Sequence, residues 1–292
     1  MNMKGKLLAL GLSCTLVLSL AACGSSGSSS STSQNQSSAS ASSSTGSSAS
    51  TSSYGEFTTL EEGKLIMATN CAFPPYTMVS DGDGVAGTGY EGIDVEIAAA
   101  VAEKLGLELQ IDDMEFTSAL LAVQNNSADM IFGALSYRED RDEVMDFTDP
   151  YATGVQVVIV PEGSDITTLD DLNGKLIGTQ AGTTGYTYAS ASPEDGGFGE
   201  ENVRAYDNGA TAVQALLGGQ IDAVIIDDAP ARQYVAANDG LTILDTPWVE
   251  EEYCAAVDEG NTALPHAINT ALNELMDDGT VQSIQDKYIS AK

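Results

Sequence analysis

Basic side chains are scarce: 11 Lys and Arg stand against 43 Asp and Glu in 292 residues, a formal charge of −32. That deficit excludes a nucleic-acid partner, because a phosphate backbone is neutralised by Lys and Arg. It equally excludes a polybasic grip on anionic lipid. Histidine is scarcer still. His266 is the only one, set beside Pro265, and without a second His or a Cys cluster no zinc site is expected. The apolar run Leu7–Leu20 has 14 residues, short of the roughly 20 that a bilayer span takes. Cysteine is limited to four positions, 14, 23, 71 and 254. No internal sequence repeat is found. The length suits one large or two ordinary domains.

What is present begins with an address. Met1–Lys6 is basic, and with Leu7–Leu20 behind it reads as a secretory signal over residues 1–22. Leu20-Ala21-Ala22-Cys23 resembles the lipobox of bacterial lipoproteins. That resemblance implies cleavage before Cys23 and a lipid on its sulfur. Residues 24–53 hold 18 Ser and no charge, so no core can form there and 23–55 reads as a polar tether. The expected location is extracytoplasmic, on the outer face of the cell membrane. Cys71 and Cys254 are then the cysteines of the folded part. In an oxidising compartment they suggest one disulfide; two separate buried thiols are the alternative.

From Tyr54 onward short apolar runs alternate with helical spacing, an α/β pattern. Strands are expected at Lys64–Thr69, Leu107–Ile111, Met130–Leu135, Val155–Val160, Leu176–Thr179, Val203–Tyr206, Ile221–Ile226 and Tyr253–Val257. Helices are expected at Ile93–Leu105, Ser118–Gln124 after the cap Thr117, Thr184–Ala191, Ala210–Leu217, Ala229–Ala237, Ala263–Met276 and Val281–Tyr288. Pro150 and Pro247 mark two irregular segments that read as crossings between lobes. The expected division is one lobe from 56–152 plus 250–292 and a second from 153–249.

Several stretches carry a family resemblance. They include Ala68-Thr69-Asn70-Cys71-Ala72-Phe73-Pro74-Pro75-Tyr76, Gly92-Ile93-Asp94-Val95-Glu96-Ile97 and Ser136-Tyr137-Arg138-Glu139-Asp140-Arg141. Phe147-Thr148-Asp149-Pro150-Tyr151, Gly182-Thr183-Thr184-Gly185, Ile221-Asp222-Ala223-Val224 and Asp278-Gly279-Thr280 continue the order. Residues 60–290 thereby resemble the family 3 extracellular solute-binding proteins, the polar amino-acid receptors of bacterial ABC importers. The resemblance implies a type II periplasmic-binding-protein fold, two closing lobes and two hinge crossings. It implies a free L-amino acid as ligand, a membrane permease as partner, a monomer, and no metal or organic cofactor.

A buried zwitterion needs a partner for each charge. Arg141 offers a fork for a carboxylate, and Thr183 and Thr184 stand where a helix begins. Asp227 is matched to the ammonium, with the Ser136 hydroxyl and a carbonyl near Ala134. The side-chain positions implied are Asn70, Phe73, Phe116 and Gln180. Asn70 replaces an Asp common in receptors for basic amino acids, and Gly133 and Ala134 replace two Ser, so a neutral polar or aliphatic amino acid is favoured and cystine stays open. Bland readings exist beside these. Arg141 sits among acids and can serve a surface turn; Asp227 can cap a helix, leaving Asp228 to the site; the two Phe can be core.

Other candidates are set aside. Asp81-Gly82-Asp83-Gly84 starts like a calcium loop, but the twelfth position is Gly92, not Glu. Glu250-Glu251-Glu252 reads as a solvated charge run. Two rival functions remain: a secreted enzyme of the same fold, like the cyclohexadienyl dehydratases, and a sensing lobe for a separate signalling partner.

Overall fold

The computed structural model describes residues 54–289. The leader, Cys23 and the Ser-rich stretch, on which the signal and lipid expectations fall, lie outside the described residues. The chain starts with β1 (Lys64–Thr69), then a small antiparallel sheet of β2 (Ala72–Phe73), β3 (Thr77–Val79) and β4 (Tyr90–Glu91). Next come α1 (Ile93–Leu105), β5 (Glu108–Asp113), α2 (Phe116–Gln124), β6 (Met130–Ser136), α3 (Glu139–Asp142) and β7 (Met145–Phe147). The middle runs β8 (Ala152–Pro161), β9 (Ile177–Gln180), α4 (Thr184–Ser190), β10 (Val203–Tyr206) and α5 (Gly209–Leu217). It ends with β11 (Ala223–Asp227), α6 (Asp228–Ala237) and β12 (Leu241–Ile243). Last are β13 (Val249–Asp258), α7 (Ala263–Asp277) and α8 (Thr280–Tyr288).

Strand alternation explains the layering. Leu65 and Met67 of β1 face one core, with Ile93, Ile97 and Val101 of α1 and Ile268 and Leu272 of α7. Ile66 and Ala68 face the other side, against Phe116, Ala119 and Val123 of α2. A strand buried on both faces reads as an unbroken apolar run, as LIMA does within KLIMAT. Helix α1 stops where Gly106 turns left-handed, φ 73°, and its N–H closes on Ala102 and Glu103 carbonyls. Helix α2 begins two residues before the expected Ser118, with Glu115 at the cap position and no side-chain cap bond.

One ten-stranded sheet runs through both halves, in the order β10-β9-β11-β8-β13-β6-β1-β5, with β12 on β8 and β7 on β13. Its halves repeat each other. In the first, β1 pairs parallel with β5 and β6, and β6 pairs antiparallel with β13. In the second, β9 pairs parallel with β10 and β11, and β11 pairs antiparallel with β8. Even a small device recurs: Asp129 before β6 accepts the Ile66 N–H at 2.8 Å, and Asp222 before β11 accepts the Leu176 N–H at 2.8 Å. The halves join through β8 and β13, paired from Val249↔Gln156 to Tyr253↔Ala152. The two crossings are therefore hydrogen-bonded strands, and β7 draws the first of them onto β13 as well.

Two expectations are corrected. The disulfide is not formed: Cys71 and Cys254 are separate, free and buried. Cys254 lies on β13 and Cys71 just beyond β1, with β6 between them. Two strand spacings are roughly 10 Å, beyond the span of about 7 Å that a disulfide bridges. Burial pushes both thiols up to about 12, so neither is a nucleophile near neutral pH. Glu250-Glu251-Glu252 is not a solvated run. Strand alternation in β13 exposes Glu250 and Glu252 and buries Glu251 on the side of Tyr253. One local feature was not expected. Ala134 sits inside β6 at φ 46°, a left-handed turn that costs an alanine about 1–2 kcal/mol. The ladder with β13 slips there, between Cys254 and Ala256.

Asp94 holds that kink. It is fully buried in α1, its Oδ2 accepting the Ala134 N–H at 2.7 Å and its Oδ1 the Tyr151 hydroxyl at 2.7 Å. Burial pushes its carboxyl up to about 7, against the pull of those two bonds. Asp94→Ala strands two buried donors, and about 2–5 kcal/mol of stability is expected to be lost, read from urea unfolding. Alkylation of denatured, unreduced protein followed by peptide mass mapping is expected to find Cys71 and Cys254 both modified. Recovery of a linked Cys71–Cys254 peptide refutes the topology argument.

Candidate functional site

The turn from β6 into α3 decides which arginine goes inside. Arg138 grips Asp140 through Nε at 2.8 Å and Nη2 at 2.7 Å, the surface role that Arg141 was offered as its bland alternative. Three residues on, one helical turn away, Arg141 points inward and is 7% exposed. Its Nη1 donates to the Ser136 carbonyl at 2.8 Å and its Nη2 to the Gly182 carbonyl at 2.9 Å. Both acceptors are neutral. Among the described residues no carboxylate lies within ion-pair distance of it. Burial, and then the Arg138 charge, lowers its pKa to about 10, so it stays a cation.

Asp227 ends β11 in the other half of the sheet. It occupies the cap position of α6 but makes no cap bond with its side chain. Asp228 turns out to Arg232 at 3.2 Å instead, which leaves Asp227 as the inward acid. Tyr253 donates its hydroxyl to Asp227 Oδ1. Burial first, and the Glu251 charge second, push the Asp227 carboxyl up; bonds from Tyr253 and Gln156 pull it back. Glu251 in turn accepts Gln156 Nε2–H at 2.8 Å. Glu251 and Tyr253 are the acid's neighbours that sequence reasoning missed, and the period-2 pattern of VEEEYCAAV was the available signal.

A narrow cavity of about 20 Å³, room for roughly one water, lies between the halves. Its walls hold Arg141, Ser136 and Ala134 with Asn70, Phe73 and Phe116 on the first half. Gln180, Thr183, Thr184 and Asp227 come from the second, and Gly133 completes the lining. All ten positions singled out from the sequence meet here. Phe116 also lies 5.9 Å beneath the Arg141 guanidinium carbon, a face-on cation–aromatic contact. Thr183 caps α4, accepting the Tyr186 N–H at 3.2 Å.

Further hydrogen bonds join the halves around this cavity. Besides Arg141 to Gly182, Gln180 Nε2 donates to Asn70 Oδ1 at 3.2 Å. Arg138 Nη1 donates to Thr187 Oγ1 at 2.6 Å, and the Tyr234 hydroxyl donates to the Ala72 carbonyl at 2.9 Å. Gly182 is held by two constraints at once. Its φ is 76°, and a Cβ there would stand 2.6 Å from the Thr117 methyl of the opposite half.

Comparison with known proteins bears on this geometry. The chain is 30% identical over 232 residues to the arginine-binding extracellular protein ArtP of Bacillus subtilis (strain 168), spanning 78% of this chain and 87% of that protein. It is 30% identical over 235 residues to the L-cystine-binding protein TcyJ of Escherichia coli (strain K12), 79% and 84% of the two chains. A solved structure of an ancestral arginine-binding protein bound to glutamine is 33% identical, with a TM-score of 0.71 over 79% of this chain and 100% of that one. The family model that matches spans residues 65–291, nearly all of the described chain, and on that match the protein belongs to the bacterial extracellular solute-binding proteins, family 3.

Proposed function

We propose that this protein is the receptor of an ABC-type importer that captures a free L-amino acid between its halves and presents it to a membrane permease. The carrying observation is the pair of buried, opposite charges on either side of one cavity. Arg141 is a buried cation whose protein partners are neutral carbonyls. Such a charge is costly until an anion reaches it. A ligand carboxylate meets that need in a bidentate grip, and Asp227 takes the ammonium. The relatives named above bind arginine or cystine, which supports an amino acid as the ligand class. The reading is of binding without chemistry.

The two charges sit on different halves, so a bound zwitterion favours the closed arrangement by contacts it makes only there. We place the moving lobes at 56–152 plus 250–292 and at 153–249, hinged near 150–155 and 246–252. We also propose that Cys23 carries the lipid that keeps the receptor at the outer membrane face, as a monomer. A neutral side chain suits a cavity whose formal charges are both engaged by the ligand's main-chain groups.

Thermal unfolding after denaturation and refolding, which strips carried-over ligand, tests this against each common L-amino acid and cystine. At about 100 times the dissociation constant, binding adds roughly 2.7 kcal/mol, a rise of about 5–10 °C for a chain of this size. Arg141→Ala is expected to abolish the shift for every amino acid; an undiminished shift in that variant removes the central claim. Binding is also expected to depend on pH. The raised Asp227 carboxyl takes up a proton earlier than an ordinary Asp, so affinity falls as the solution is acidified from about pH 8 to 5. Once Asp227 is mostly protonated, each further unit costs about tenfold. Glu251→Gln removes the neighbouring negative charge and moves that fall to lower pH. Calorimetric titrations across the range read both curves, and coincident curves refute the assignment of Glu251.

A further inference from the structure

Asn70 and Gln180 of the cavity lining belong to a relay with a fixed direction. The Met114 carbonyl can only accept, and Asn70 Nδ2 donates to it at 3.0 Å. That bond orients the Asn70 amide and leaves its Oδ1 for Gln180. Gln180 Nε2 donates to that oxygen at 3.2 Å. The polarity then passes on: what Gln180 has left is its Oε1, an acceptor. This atom is sealed from solvent and has no donor, on a residue that is 3% exposed and lines the cavity. An orphaned buried acceptor costs about 1–3 kcal/mol. A relay that starts at a backbone carbonyl cannot reverse to satisfy itself.

The charges around it narrow the occupant further. The cavity lining holds one cation, Arg141, and one acid, Asp227. Both are engaged by the carboxylate and ammonium of a bound amino acid. A cationic side chain would enter with no carboxylate in the lining to meet it, a costly burial. An aliphatic side chain would leave Gln180 Oε1 orphaned, and a carboxylate brings no proton for it. Each amide nitrogen of Asn70 and Gln180 has a second hydrogen, so the same pair can serve an acceptor as well.

We propose that the ligand is an amino acid whose uncharged side chain ends in a carboxamide, of the glutamine class, with its N–H received by Gln180 Oε1. The inference rests on the amino-acid reading above and selects within it. Phe73 and Phe116 flank the apolar stem of that side chain.

The test is calorimetric titration of stripped protein with L-glutamine, L-methionine, L-glutamate and L-arginine. Methionine matches glutamine in length and lacks the donor. Glutamine is expected to bind about 10- to 100-fold tighter than each of the other three. Methionine or arginine binding as tightly as glutamine overturns the proposal while leaving the receptor reading intact. Binding by none of the four overturns this proposal alone, and the thermal series with the other amino acids and cystine then decides the receptor reading. In Gln180→Leu, checked for cooperative unfolding, the advantage of glutamine over methionine is expected to shrink to within about threefold. An advantage that persists in that variant overturns the role of Gln180. Should the variant not fold, the four-ligand series on the unaltered protein decides alone.

Discussion

The pairing of β8 with β13 is the constraint on which the rest depends. Each strand is ten residues long and belongs to both halves of the sheet. Their antiparallel register sets Gln156 beside Val249 and Tyr253 beside Ala152. That register in turn lets Tyr253, rooted next to β6, reach across to Asp227 at the end of β11. The contact needs Gly154: a Cβ on that residue would stand 2.2 Å from the Tyr253 ring carbon that bears the hydroxyl. A two-strand ribbon is stiff along its hydrogen bonds and compliant to twist, which fits a joint that must keep its two walls in register.

Charge economy follows from that joint. The described residues pair most of their few cations on the surface, as Lys64 with Glu61 and Lys104 with Glu274. Exposed pairs like these are worth little. Arg141 is the buried exception, set against neutral carbonyls from both halves. With acidic residues so plentiful, leaving that one guanidinium without a carboxylate is the feature a stability argument alone would not produce. Asp227, Glu251, Gln156 and Tyr253 form the answering acidic cluster, buried in the joint itself.

Much of the fold was legible in the sequence, and the reasons are local. β1 and α1 have the bounds that pattern predicts, because LIMA within KLIMAT is an unbroken apolar run and Gly106 supplies a left-handed stop. The candidate site residues came from the family resemblance, and the fold brings Arg141, Asp227 and Gln180 to one cavity. What escaped notice depends on distant partners. Ala134 turns left-handed because Asp94, 40 residues earlier, takes its N–H. Glu251 is buried because β13 pairs with β8, and the adjoining glutamates hid that behind a run of like charge. Cys71 and Cys254 were joined by counting, whereas the strand order separates them. The duplicated strand order of the two halves left no repeat to read, since only topology and the Asp129 and Asp222 bonds are shared.

The discontinuous first half has a consequence for how the chain acquires its structure in time. The second half is one contiguous stretch from β8 to β12, whose pairings are short in sequence and close early. The first half lacks β13, α7 and α8 until the final forty or so residues arrive. Its core needs them: Leu264, Ile268 and Leu272 pack with Ile93 and Ile97, and Tyr288 hydrogen-bonds Glu96 at 2.6 Å across 192 residues. Folding of this protein is thus ordered from the middle outward, and the N-terminal strand, first to be made, is among the last to be covered.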